Sequence, residues 1–157
     1  MIDLKELRNE KKMTQQEVAD LIGISLRSYK SYENDEEKQD TIKYKYIVEQ
    51  LSKINYIDEE NGILELKDII RKCSKVFDKY EVNFCYLFGS YAKGKATETS
   101  DVDLLISTNV KGLKFYGIVE EIRTTLHKKV DVLDMNQLKD NLEITEEIFK
   151  DGIKIYG

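Results

Sequence analysis

Apolar positions in residues 2–54 recur at helical spacing: Leu4 and Leu7, then Val18, Leu21 and Ile22, then Tyr29 and Tyr32. Thr14, followed three residues later by Glu17, forms a capping-box pattern and predicts a helix start at residue 14. The string "IGIS" ends that helix at Gly23 and opens another at Ser25, a favoured N-cap type. The acidic stretch "ENDEEKQD" interrupts the pattern, and "IKYKYIVEQLSKI" predicts a fourth helix.

Beyond the turn-rich, acidic "NYIDEENG" the pattern changes. "ILELKDIIRKCSKVFDKY" is amphipathic at helical spacing, "NFCYLF" is rich in strand formers, and "DVDLLIS" predicts a second strand. "GLKFYGIVEEIRTTLHK" reads as helix and "KVDVLD" as a third strand. The tail reads as helix, with a possible last strand at "IKIY". These elements predict two small domains: an all-α domain over residues 1–56, a linker over 57–63, and an α/β (α+β) domain with a short mixed sheet over 64–157.

Composition narrows the chemistry. The chain has 157 residues, 41% hydrophobic and 35% charged, which suits two modest cores. No run of about 18 apolar residues occurs, which excludes a membrane-spanning helix. The N-terminus lacks the basic and apolar regions of a signal peptide, so a cytoplasmic location is expected. Cys73 and Cys85 have neither metal-ligand nor redox spacing and read as buried reduced thiols. His127 is the single histidine, so carboxylates, hydroxyls and lysines must carry any chemistry. The net charge of −5 divides into −1 before the break at Tyr56 and −4 after it. Contact with a nucleic acid would therefore need a local patch, not a bulk field.

In "TQQEVADLIGISLRSYKSYE", two short helices meet at a glycine turn, the geometry of a helix-turn-helix. Ala19 is small where the helices cross, and Ile24 plugs the space between them. Ser25, Arg27, Ser28, Lys30 and Ser31 are left on the outer face of the second of these helices. Hydroxyls and cations there suit a helix laid in a DNA major groove. The acidic run Asp35, Glu36, Glu37 favours the alternative of a protein-interaction module. The string "T-Q-x-E-x-A…G-I-S" resembles the repressor-type (XRE or Cro-like) helix-turn-helix family over residues 4–54. That resemblance implies a five-helix fold in which Gln15 touches a phosphate and helix 25–33 reads the groove.

The second half holds the sharper pattern, "FGSYAKGKATETSDVD". On a strand, Asp101 and Asp103 project to one side while Val102 faces the core. Paired carboxylates without a basic neighbour repel, and a divalent cation relieves this; Mg²⁺ favours one or two carboxylates plus phosphate oxygens. Upstream, Gly89 lets the backbone approach a phosphate, and the Ser90 hydroxyl can bind its oxygens. Two metal ions would call for a third carboxylate. Asp131, between Val130 and Val132, supplies it, whereas Asp134 reads as the N-cap of the following helix.

Gly89-Ser90, ten residues, then Asp101-Val102-Asp103 resembles the polymerase-beta-like nucleotidyltransferase superfamily, in its minimal (MNT) group, over residues 64–157. Ala92, Gly94 and Ser100 also fit that pattern, while Tyr91 stands where many relatives have arginine. The resemblance implies transfer of a nucleoside monophosphate from a Mg²⁺-bound nucleotide, ATP foremost, with two ions on Asp101, Asp103 and Asp131. Ser90, Gly89, Lys93 and Lys95 would contact the phosphates. It also implies an antitoxin that AMPylates a HEPN-type toxin and represses its own operator DNA, as a homodimer or in a complex with the toxin. Two other readings stand beside it. One is an aminoglycoside-type adenylyltransferase, disfavoured because no helical domain follows "IKIYG" to enclose a small acceptor. The other is a regulator whose second domain only senses nucleotide.

Overall fold

Burying an amphipathic helix requires a partner face, and this chain supplies two separate sets of partners. The computed structural model describes residues 2–157, which divide into one unit up to Tyr56 and a second, Ile57–Gly157.

The first unit contains α1 (Leu4–Glu10), α2 (Gln15–Ile22), α3 (Leu26–Asn34), a 3₁₀ turn (Glu36–Lys38) and α4 (Ile42–Ser52). The resemblance implied five helices; the described residues form four α-helices and the 3₁₀ turn in the acidic run, too short and too charged to bury a stripe. The Thr14–Glu17 capping box is complete, and Gly23 ends α2 in the left-handed region at φ 75°. Leu4, Val18, Ala19, Tyr29, Tyr44, Ile47 and Leu51 fill the core, with Ile24 packed against them. Inside this unit Glu33, whose side chain is 1% exposed, receives Arg8 Nε at 2.8 Å and Gln15 Nε2 at 2.9 Å. Burial works against the Glu33 charge, but these hydrogen bonds more than offset it and hold its pKa below the ordinary value.

The second unit has the order α5 (Leu66–Phe77), β1 (Val82–Phe88), α6 (Gly89–Ala92), β2 (Val102–Thr108), α7 (Leu113–Leu126), β3 (Val130–Asp134), a 3₁₀ turn (Met135–Leu138), α8 (Leu142–Asp151) and β4 (Ile153–Tyr156). The strands form one mixed sheet ordered β3-β2-β1-β4, with β2 and β3 parallel and the other pairs antiparallel. It is the α+β fold with a short mixed sheet that the pattern predicts. Helix α5 buries Ile69, Cys73, Val76 and Phe77 at i, i+4, i+7 and i+8, and α7 buries Ile118, Ile122 and Leu126. Both cover one sheet face, onto which Cys85, Leu87, Val102, Leu104 and Ile106 project. Both cysteines are buried and free, and burial pushes the Cys73 thiol up to about 12. Pleating sends Phe84, Tyr86, Phe88, Asp103 and Leu105 to the opposite face. Residues 57–63, expected as a linker, pack on this unit: Ile57 lies partly buried against its core cluster, and Glu59 pairs with Arg123 at 2.6 Å.

The buried Glu33 generates a prediction. Glu33→Ala strips the largely buried Arg8 guanidinium of its carboxylate partner and should destabilise the helical unit by about 3 kcal/mol. Because the folded pKa of Glu33 is depressed, its contribution is present above the unfolded value and lost as pH falls through the folded one. Urea unfolding of wild type and variant at neutral and acid pH should show the gap close on acidification. A gap of constant size would contradict the ion-pair account.

Candidate active site

The end of β1 and the starts of β2 and β3 meet where the signature residues fall. Phe88 pairs with Asp103 across β1 and β2, and Asp103 stands in register with Asp131 across the parallel β2 and β3. Sequence spacing placed Asp101 and Asp103 together; the sheet brings Asp131 beside Asp103. Asp134 caps the following 3₁₀ turn in a box with Gln137, as its position predicts.

Gly89 is the residue the site cannot replace. Its φ is +70°, and a Cβ there would stand 2.1 Å from Asp103 Oδ2. The carboxylate therefore lies directly over the bare backbone at the β1–α6 turn, and any side chain would displace it. Ser90 follows in the single turn of α6, partly exposed beside the carboxylates.

The electrostatics are those of crowded negative charge. Burial, then Asp131, Asp101 and Glu147, push Asp103 up to about 6 from an ordinary 3.8, with Lys93 acting in the opposite direction. Oxygen-only donors in surplus negative charge fit a hard divalent cation. Among the described residues no three acidic, histidine or cysteine side chains converge into a ready-made cage. Mg²⁺ takes one or two protein carboxylates and completes its shell with phosphate oxygens and water. Asp101 and Asp131 both bear on the Asp103 charge, so the three carboxylates expected from the sequence lie within electrostatic reach of one another.

Lys93, expected at the phosphates, is ion-paired to Glu147 Oε1 at 2.6 Å, which ties α6 to α8. Sequence reading missed Glu147 because nothing in "EITEEIF" separates it from its acidic neighbours. Lys95 is exposed. Tyr91 points away from the carboxylates, packs on the core, and its hydroxyl accepts the Leu64 N–H at 3.4 Å. On the same sheet face as Asp103, a groove of about 400 Å³ opens between Phe84, Tyr86, Leu105, Met135, Ile148 and Phe149. Phe149 is 88% exposed at its rim.

In the helical unit, Ser25 caps α3 by accepting the Ser28 N–H at 3.1 Å, and Arg27 and Lys30 are exposed. Ser31 accepts a hydrogen bond from Lys38, which is also paired with Asp35. Gln15 donates one amide N–H to the buried Glu33 at 2.9 Å.

Comparison with known proteins agrees with this geometry. Residues 71–157 match the family described as Polymerase beta, Nucleotidyltransferase, and residues 4–42 match Helix-turn-helix. A Methanocaldococcus jannaschii protein named as a candidate protein adenylyltransferase is 36% identical over 96 residues, covering 59% of this chain and 97% of the relative. A second candidate protein adenylyltransferase from that organism is 36% identical over 94 residues, covering 58% and 95%. A crystal structure of a toxin–antitoxin with AMP-PNP is similar at a TM-score of 0.49 and 20% identity, covering 56% of this chain and 73% of that one. A nucleotidyltransferase domain following a helix-turn-helix domain is the class that fold and site define. The chain belongs to the polymerase beta nucleotidyltransferase family. Among the described residues no helix is long and apolar enough to cross a membrane.

The raised Asp103 carboxyl has a measurable consequence without metal. A folded pKa of about 6 against 3.8 means the group's contribution is full below the unfolded value and lost as pH rises through about 6. Asp103→Asn should therefore raise the stability of the metal-free protein at neutral pH. The gain should be on the order of 1 kcal/mol, discounted because the carboxylate is only half-buried. Thermal melts in chelator at pH 4 and pH 7.5 should show the advantage at the higher pH alone; equal melting at both would contradict the crowding.

Proposed function

We propose that the protein is a Mg²⁺-dependent adenylyltransferase that modifies a hydroxyl on a partner protein, a HEPN-type toxin, and represses its own operon through the helix-turn-helix domain. The observation that carries the transfer reading is the packing of Asp103 over Gly89, with Asp131 in register beside it. The relatives named as candidate protein adenylyltransferases support a protein acceptor, as does the open apolar groove on the catalytic face. The toxin as partner rests on the resemblance to the minimal nucleotidyltransferase antitoxins.

The Gly89 backbone and the Ser90 hydroxyl would hold the triphosphate oxygens. Asp101 and Asp103 would hold Mg²⁺, with Asp131 completing the negative cluster or accepting the proton of the attacking hydroxyl. The bound cation would supply neutralisation of the charge that develops on the phosphates. The acceptor oxygen bonds to the α-phosphorus, the bond to the bridging oxygen breaks, and pyrophosphate leaves. Positioning and charge compensation are the protein's contribution. The groove beside the carboxylates would seat the apolar surround of the acceptor hydroxyl, a tyrosine by preference.

Incubation with Mg-ATP and the partner toxin should add a nucleoside monophosphate to the toxin by mass spectrometry, with the product absent for Asp103→Asn. Efficient adenylylation of an aminoglycoside with no partner present would replace this reading with the small-molecule one.

For the DNA-binding domain, a dimer should read half-sites about 34 Å apart through α3. Arg27→Ala should relax base preference at a cost of about 1–3 kcal/mol, whereas Lys30→Ala should weaken all sequences and flatten the salt dependence. Gel shifts on the protein's own promoter across a salt series distinguish the two, and no shift by folded wild type at low salt rejects DNA binding.

A further inference from the structure

The catalytic loop between α6 and β2 is held from behind by residues that lie ahead of the matched family region. Residues 57–64 precede that match, which begins at residue 71. They form a self-bonded turn: Asp58 Oδ1 accepts the N–H groups of Glu60 at 3.0 Å and Asn61 at 2.7 Å, and the Asp58 N–H returns to Asn61 O at 3.0 Å. Arg123 of α7 grips the turn through Glu59. Lys128, completely buried, donates from Nζ to two carbonyls at once: Asn61 O of the turn at 3.1 Å, and Glu98 O of the catalytic loop. Gly62 N–H donates to the Glu98 carboxylate at 3.3 Å, and Leu64 N–H to the Tyr91 hydroxyl of α6 at 3.4 Å.

A buried ammonium is costly, and desolvation lowers the Lys128 pKa, although Asp58 and Glu98 favour its charge. An apolar side chain of similar length would fill the same space but leave both carbonyls without this donor. What an apolar side chain could not do is fix two chain segments by their carbonyls. One of those segments delivers Asp101 three residues later, and Lys128 lies three residues before Asp131.

We propose that Lys128 is a positioning residue for nucleotidyl transfer: it clamps the 57–64 strap to the catalytic loop, and so sets Asp101 and the Gly89–Ser90 turn for the Mg²⁺-bound nucleotide. This rests on the nucleotidyltransferase reading of the same site. The strap is then part of the catalytic apparatus, although it lies ahead of the segment by which the family is recognised.

The test uses the full chain and an ATP analogue with a non-hydrolysable α–β bridge, titrated by calorimetry with and without Mg²⁺. Lys128→Met should weaken binding of the Mg²⁺-bound analogue about tenfold, as loss of a support behind a metal ligand does, and leave metal-free binding within about twofold. Amide exchange should rise together in residues 57–64 and 94–101. Val76→Ala, a core change on α5, should lower the melting temperature while keeping the full Mg²⁺-dependent gain, which separates positioning from stability. Tyr91→Phe breaks only the strap-to-α6 bond; it should reduce the Mg²⁺-dependent gain by about threefold, and it decides the question if Lys128→Met does not fold. An undiminished Mg²⁺-dependent gain in Lys128→Met, or in Tyr91→Phe where that variant decides, with unchanged exchange in 94–101 overturns the clamp. Wild type that binds no Mg²⁺-bound analogue overturns the nucleotidyltransferase reading, and the clamp with it.

Discussion

Carboxylates crowded against one another set the terms for the catalytic unit. Asp103 and Asp131 share a register position on adjacent parallel strands, and Asp103 leans on a backbone that tolerates no side chain. Like charges so placed cost the fold stability at neutral pH. The sheet accepts that cost because its other face is sealed by α5 and α7, a conventional apolar core that does not depend on the site. Stability and chemistry therefore occupy opposite faces of the same strands, separated by the two-residue pleat.

The same separation accounts for the surroundings. Lys93 partly offsets the negative cluster at Asp103 and is also paired with Glu147, holding α6 against α8. The groove on the same sheet face as Asp103, with Phe149 at the rim, keeps apolar surface open to solvent. In the helical unit the polarity is reversed: the ion pair Arg8–Glu33 is inside, and Arg27 and Lys30 are outside, where a polyanion could meet them.

Much of this was legible in the sequence, because the signals involved are local. Capping boxes, a glycine turn and the 3.6-residue and two-residue periods set the helices, the strands and the face on which Asp101 and Asp103 emerge. Asp131 was legible for a related reason, since a charged residue between two valines of a strand can only face away from the core. The Gly-Ser, ten-residue, Asp-x-Asp spacing carried the family, and it carried it because the turn and the neighbouring strand fix that distance mechanically.

What the sequence did not disclose are pairings made across the fold. Gln15 is drawn to Glu33, 18 positions away, and Lys93 to Glu147, 54 positions away. An acidic, turn-rich segment read as a linker is pinned to the second unit by Lys128 and Arg123. Periodicity tells which way a side chain leaves its own helix or strand, and so determined the elements, their buried faces and the signature carboxylates. Which partner that side chain meets depends on how elements distant in the chain pack together, and that only the tertiary structure decided.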